Sequence, residues 1–256
     1  MNNSPIGMLD SGIGGLSVWK EVKRLLPNES IVYFGDGKNC PYGGRPADEI
    51  RGFVVEAVER LLERGAKLIV LACNTATAAA VEYLRDNYDI PFVGMEPAVK
   101  PAALTSKSGV VGILATKCSL EGDLFQKTAA KYSDKVNILT AVGESFVEIV
   151  EKSQEETAEA LEKVRIVVEP LVEAGVDKIV LGCTHYPFLE ANMRKVIGDR
   201  DVEIIDPAHA VAERVRFLLN ENDIAAEESH VADYEFISAA TEDYVEKLLK
   251  KSSVIG

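Results

Sequence analysis

Two short stretches of this 256-residue chain end a greasy run with a thiol and then turn polar. In GAKLIVLACNTATAAA (65–80) Cys73 is followed by Asn74 and Thr75, and in GVDKIVLGCTHYPFLE (175–190) Cys183 is followed by Thr184 and His185. A thiolate is both a nucleophile and a base, and an imidazole two residues away is an acceptor for its proton. A thiol beside a helix N-terminus also gains from the free N–H groups and the dipole, so its pKa falls from about 8.5 toward neutrality. Asn74, Thr75 and Thr184 are residue types suited to capping such helices. One buried cysteine alone is ordinarily a small hydrophobe. Two thiols with polar flanks at the ends of matching runs are harder to read that way.

The elements that must position them are short, continuous and β-branched: residues 5–9, 30–35, 67–72, 110–115, 136–141, 178–182 and 202–206. Continuous apolar runs predict strands buried on both faces, as in a parallel sheet. Helical patterns lie between them at 16–26, 47–65 and 157–175, the last containing Pro170, which is expected to kink or divide it. Leu16, Trp19, Val22 and Leu26 share one face of the first, which makes the single Trp a core residue. Strand–helix alternation of this kind means α/β.

The chain also repeats itself. From Cys73 to Cys183 the offset is 110 residues, and at that offset Gly65, Ile69, Val70 and Leu71 match Gly175, Ile179, Val180 and Leu181. GMLDS (7–11) and GILAT (112–116) match at an offset of 105. Two repeated strands in the same order predict two similar α/β domains with largely parallel sheets, related by a pseudo-two-fold. Ligands of open parallel sheets bind beyond the carboxyl ends of the strands. Asp10, Ser11, Asp36, Cys73, Asn74, Thr75, Thr116, Cys183, Thr184 and His185 are all expected at such ends. Facing halves would then share one active-site cleft with a thiol on each wall. Two acid/base groups on opposite sides of a carbon suit inversion, one removing a proton while the other supplies one to the far face.

Two rivals use the same residues. DSGIGGLS (10–17) begins a G-x-G-x-x-G loop at Gly12 and Gly14, with Asp36 at the end of the next run, but its sixth position is Ser17 and the paired thiols stay unexplained. Cys183 and His185 offer two metal ligands, yet His209 and His230 fall in no ligand-spaced pattern, and no metal is expected. No two of the four cysteines are spaced C-x-x-C, and Cys40 and Cys118 are read as structural. A net charge of −13 argues against nucleic acid or an anionic membrane as partner. The N-terminus has no basic region typical of a signal peptide, and no apolar run reaches the roughly 18 residues of a membrane span. The expected location is the cytoplasm.

DSGIGG (10–15), NCPYG (39–43), ACNTAT (72–77) and GCTHYP (182–187), in this order and spacing, resemble the glutamate racemases of the aspartate/glutamate racemase family. The resemblance runs from about residue 6 to at least Asp206. It implies a cofactor-independent isomerase that interconverts L- and D-glutamate by two-thiol proton transfer and supplies D-glutamate for peptidoglycan. Cys73 and Cys183 would be the catalytic thiols, assisted by Asp10 and His185 respectively. Ser11, Pro41, Tyr42, Gly43, Asn74, Thr75 and Thr184 would hold the substrate, with Asp36, Ser119 and Glu151 as further site positions. Residues 1–97 plus 208–256 would form the first domain and 98–207 the second, the chain returning through a helix in IIDPAHAVAERVRFLLN. The chain departs from the family pattern at Cys118-Ser119 and Gly143-Glu144. Aspartate or another carboxylate is the alternative substrate, a gyrase-binding role known in some members is an alternative of another class, and the sequence leaves room for a homodimer.

Overall fold

The computed structural model describes residues 1–95 and 98–255, the side chains of the last two of these excepted. The chain divides into two compact units, Met1–Met95 with Ala208–Gly256, and Glu96–Pro207. The expected boundary after residue 97 falls beside residues outside the described set.

The first unit opens with β1 (Ile6–Asp10), α1 (Leu16–Leu25), β2 (Ile31–Gly35), α2 (Ala47–Leu62), β3 (Leu68–Leu71), α3 (Asn74–Asn87) and β4 (Phe92–Gly94). The second runs α4 (Val99–Thr105), β5 (Val110–Ala115), α5 (Lys117–Glu121), α6 (Asp123–Ala130), β6 (Asn137–Val142), α7 (Phe146–Glu151), α8 (Ala158–Glu173), β7 (Lys178–Gly182), a 3-10 turn (Tyr186–Leu189), α9 (Glu190–Ile197) and β8 (Glu203–Ile205). The chain then rejoins the first unit through α10 (Ala208–Glu221), β9 (Tyr234–Ile237) and α11 (Glu242–Ile255). Among the described residues no helix is long and apolar enough to cross a membrane.

Every strand pair is parallel. The first sheet has the order β4-β3-β1-β2-β9 and the second β6-β5-β7-β8. Read from the other edge, the second is β8-β7-β5-β6, the order of the first without its fifth strand. The match reaches single residues. Gly7 pairs with Ile69 in one sheet and Gly112 with Ile179 in the other, the positions the two sequence offsets equate. A Cβ on Gly7 would meet Ile69, Ala66 and Leu61 at 2.6–3.1 Å, and one on Gly112 would meet the counterparts Leu171, Val176 and Ile179 at 3.3–3.6 Å. Both helices entering the thiol strands stop alike. Gly65 and Gly175 have φ of 76° and 84°, with the following N–H groups donating back to Leu61 and Leu171, the paired C-terminal bonds that only a left-handed residue allows easily.

Four expectations need correction. Pro170 neither divides nor ends α8, because it lies in the last turn, and the carbonyl it leaves unbonded belongs to Ile166 on the exposed face. Runs 136–141 and 202–206 are not buried on both faces, since β6 and β8 are the edges of their sheet. β4 and β9 were not expected. Finally, the helix caps at the thiols differ from those the side-chain types suggest, with Cys73 and His185 in the cap positions.

Candidate functional site

Each unit gathers its sequence-selected residues at the carboxyl ends of its central strands. In the first unit Asp10 closes β1, Asp36 follows β2 and Cys73 lies just past β3; Asp10, Ser11, Asp36, Tyr42, Cys73, Asn74 and Thr75 are all buried. The N-cap of α3 is Cys73, not Asn74 or Thr75. Its sulfur accepts from the Ala76 N–H at 3.4 Å, in the place a serine or aspartate oxygen usually takes. The cap is therefore a thiol, at the positive end of a 14-residue helix. Ser11 Oγ is 3.9 Å from this sulfur, and the Asp10 carboxylate accepts the Gly12 N–H at 2.8 Å.

Asp36 holds the loop that carries Pro41, Tyr42 and Gly43. Its carboxylate accepts from the Tyr42 hydroxyl at 2.6 Å and from the Asn39 amide at 3.0 Å. Burial above all, then the Asp36 charge, pushes the Tyr42 phenol far above its ordinary pKa, with Cys73 and Asp10 adding to the effect. Tyr42 thus remains a protonated donor close to the thiol. Asn74 is the exception in this well-bonded group. Both polar atoms of its amide are buried and have no hydrogen-bond partner among the described residues. An orphaned buried amide costs about 1–3 kcal/mol.

In the second unit Cys183, Thr184 and His185 follow β7 and are buried, as are Thr116 and Ser119 at the end of the neighbouring β5. Here Thr184 does not occupy the cap position. His185 is the cap residue, and it leads into one 3-10 turn rather than an α-helix, so the dipole argument applies to Cys73 and not to Cys183. Cys183 has an imidazole instead. His185 Nδ1 is 4.0 Å from its sulfur, and Nε2 is 2.9 Å from Glu151 Oε1, at the end of α7. A carboxylate only accepts, so Nε2 donates to Glu151, and Nδ1 is the ring nitrogen nearest the thiol. Thr116 caps α5 and donates to Ser119 Oγ at 2.9 Å.

Tyr186, given no role by the sequence, is fully buried beside Cys183, edge-on to Phe146, with its hydroxyl donating to the Gly143 carbonyl at 3.4 Å. Burial, then Cys183, raises its pKa. These rings explain the departure at Gly143, where a Cβ would lie 2.6 Å from Phe146 and 2.7 Å from Tyr186. Glu144, the other half of that departure, is exposed. Cys40 and Cys118 are half-buried and in no disulfide.

Residues 13–215 match the Asp/Glu/Hydantoin racemase family. The chain belongs to this family. The glutamate racemase of Herpetosiphon aurantiacus is 42% identical over 97% of both chains, and that of a Roseiflexus species 47% identical over 85% of this chain and 80% of its own. Among solved structures, Escherichia coli glutamate racemase, in complex with L-glutamate and the activator UDP-MurNAc-Ala, superposes with a TM-score of 0.87 at 31% identity, covering 98% of this chain and 95% of its own. An aspartate racemase homologue from Pyrococcus horikoshii shares only 18% identity with a TM-score of 0.51, covering 85% of this chain and 99% of its own, a likeness of fold alone. The family's two-sheet α/β architecture is the one found here, with a buried thiol and polar groups at the strand ends of each sheet.

Proposed function

We propose that the chain is a glutamate racemase of the cytoplasm that supplies D-glutamate for peptidoglycan. The observation that carries the reading is the pair of thiols at matching strand ends, each with its own proton-handling surroundings. One thiolate takes the α-proton of glutamate from one face of the carbon, and the other thiol returns a proton to the opposite face. The α-proton beside a carboxylate is weakly acidic, so the buried site must stabilise the charge that develops, while each thiol contributes about 10²–10⁴-fold as base or acid. Cys73 is readied by the α3 N-terminus, and Asp10 works beside it. Cys183 is served by His185, whose tautomer Glu151 fixes. Ser11, Asn74 and Thr75 in one unit and Thr184 and Ser119 in the other bind the substrate's charged groups, with the Asn74 amide gaining its first partner on binding. Pro41, Tyr42 and Gly43 supply the wall that Asp36 fixes.

The test is circular dichroism of L-glutamate incubated with pure protein, without pyridoxal phosphate and with chelator present. Optical activity should decay to zero, and Cys73→Ser and Cys183→Ser should each stop it. Each variant should still eliminate a leaving group from the β-carbon of a substrate analogue, one acting on the L- and the other on the D-enantiomer. Full racemisation by either variant, or the same enantiomer preference in both, would overturn the two-thiol mechanism. Faster racemisation of aspartate than of glutamate would overturn the substrate.

A further inference from the structure

The turns that follow the two thiols differ at one position that the repeat equates. At the offset of 110 residues Thr77 corresponds to Pro187. Thr77 N–H donates to the Cys73 carbonyl at 2.9 Å, the bond that starts α3 as an α-helix. Proline has no N–H, so Pro187 cannot make the equivalent bond. The Cys183 carbonyl accepts instead from Tyr186 N–H at 3.1 Å, one residue nearer, and the chain enters a 3-10 turn. Of the two thiols only Cys73 caps an α-helix, and this single difference is one reason.

The Thr77 side chain ties the same turn from its other side. In the parallel pair of β3 and β4, Leu71 lies opposite Gly94. Ile69 N–H donates to the Pro91 carbonyl at 3.0 Å. A parallel ladder steps by two residues, so its continuation would bring Met95 N–H to the Leu71 carbonyl. The Thr77 hydroxyl is inserted in that rung. It accepts from Met95 N–H at 2.9 Å and donates to the Leu71 carbonyl at 3.3 Å. Thr77, Leu71 and Met95 are each no more than 2% exposed, beyond the reach of bulk water. Gly94 leaves room for the side chain, since a Cβ there would lie 2.6 Å from Thr77 Cγ2.

We propose that Thr77 is the positioning residue for Cys73: by holding the carbonyls of Leu71 and Cys73 it fixes the angle at which the chain leaves β3 and keeps the sulfur on the Ala76 N–H. The hydroxyl is engaged by backbone on both sides, so it shapes the turn and does not touch substrate. Thr77 then serves one thiol alone, a role that rests on the two-thiol reading above. Placement of this kind matters because a displacement of about 1 Å costs on the order of 100-fold in rate.

Thr77→Val keeps the shape of the side chain and removes the hydroxyl, while Thr77→Ser keeps the hydroxyl. Each is combined with Cys183→Ser, so that β-elimination from the substrate analogue reports on Cys73, and with Cys73→Ser, so that it reports on Cys183. Thr77→Val should lower kcat on the Cys73 side at least about tenfold and leave the Cys183 side within about twofold. Thr77→Ser should stay close to the parent on both. Gly94→Ala leaves the hydroxyl in place and carries the test if Thr77→Val does not fold. Its Cβ displaces Thr77 Cγ2, so it should impair the Cys73 side, and adding Thr77→Ser, which deletes that methyl, should restore it. Alkylation of Cys73 by iodoacetamide, mapped by mass spectrometry across pH, reads the sulfur without any racemase chemistry. Its midpoint should rise in Thr77→Val, because an N–H bond to the sulfur favours the charged form. A wild-type chain that does not racemise glutamate overturns the racemase reading, and the alkylation profile still decides the role of Thr77. Equal losses on the two sides, or an unchanged Cys73 profile in Thr77→Val, overturn the proposal. So does a loss in Gly94→Ala that Thr77→Ser fails to reverse.

Discussion

Replacing Glu151 by glutamine removes one charge and little else. The amide keeps an oxygen to accept from His185 Nε2, so the imidazole should stay where it is, 4.0 Å from the Cys183 sulfur. On the proposed mechanism, the carboxylate that would stabilise the ring as it takes the thiol proton is lost. The Glu151 side chain is only 15% exposed and that of His185 2%, so solvent screens the pair weakly. Hydrogen bonds to charged groups are worth about 1.5–3 kcal/mol. With an acceptor retained, the lower part of that range, about 1.5–2 kcal/mol, converts to a roughly 10- to 30-fold loss of rate. The direction of the loss is constrained. Enantiomers have equal free energy in water, so kcat/KM must fall by the same factor from L- and from D-glutamate. The asymmetry must appear in isotope effects. For the enantiomer whose proton Cys183 removes, the effect of α-deuteration should rise, because that step becomes more rate-limiting; for the other it should fall, with a larger solvent isotope effect in its place. Stopped-time circular dichroism with protiated and α-deuterated substrates, in light and in deuterated water, reads these quantities. A loss below about threefold, or substrate isotope effects that move alike in both directions, would refute the assignment of Glu151 and His185 to the Cys183 side.

Asn74→Ala should raise KM for glutamate at least about tenfold while leaving thermal unfolding nearly unchanged, because the amide it deletes is buried without a partner; a large drop in Tm with KM intact would make Asn74 structural. Asp177 loses some solvation, but hydrogen bonds from Ser106 and from the N–H groups of Lys107 and Ser108 outweigh that and lower its pKa to about 2. A depressed carboxyl stabilises the fold above its unfolded value near 3.9 and loses that contribution as pH falls toward 2. Asp177→Asn should therefore lower denaturant midpoints at pH 6 and converge with the wild type near pH 2. Gly143→Cys should destabilise by about 1–3 kcal/mol, as overpacking does, since its Cβ would strike the Phe146 and Tyr186 rings; unchanged urea midpoints would show that the rings move aside freely.

The parallel α/β frame and the duplicated thiol strands are legible because buried parallel strands read as unbroken apolar runs and because the repeat keeps its register. Other features are hidden for identifiable reasons. β4 has three residues, and β9, YEFI, is an edge with Glu235 inside it, so neither forms an apolar run. β6 reads as buried because NILTA is apolar in composition, whereas exposure depends on whether a neighbour exists. The cap at Cys73 is hidden because Asn and Thr are the customary capping types, and the sequence offers no sign that the sulfur itself takes the N–H. The His185–Glu151 contact joins residues 34 apart, and only the fold of α7 beside the 3-10 turn brings them together.

The covering of β2 by β9 also sets an order of events in synthesis. Ser30 and Asp233, hydrogen-bonded at the start of that strand pair, are 203 residues apart in the chain. At about 5–20 residues per second a ribosome needs roughly 10–40 s to make the intervening segment. The second unit, Glu96–Pro207, is continuous and is complete before β9 emerges. During that interval the first sheet stands as four strands, with IVYFG open along its outer edge and Trp19, Tyr33 and Phe236 not yet packed on one another. The nascent chain is therefore most prone to wrong strand pairing in the half that began first, and slowing translation beyond residue 207 would lengthen that exposure.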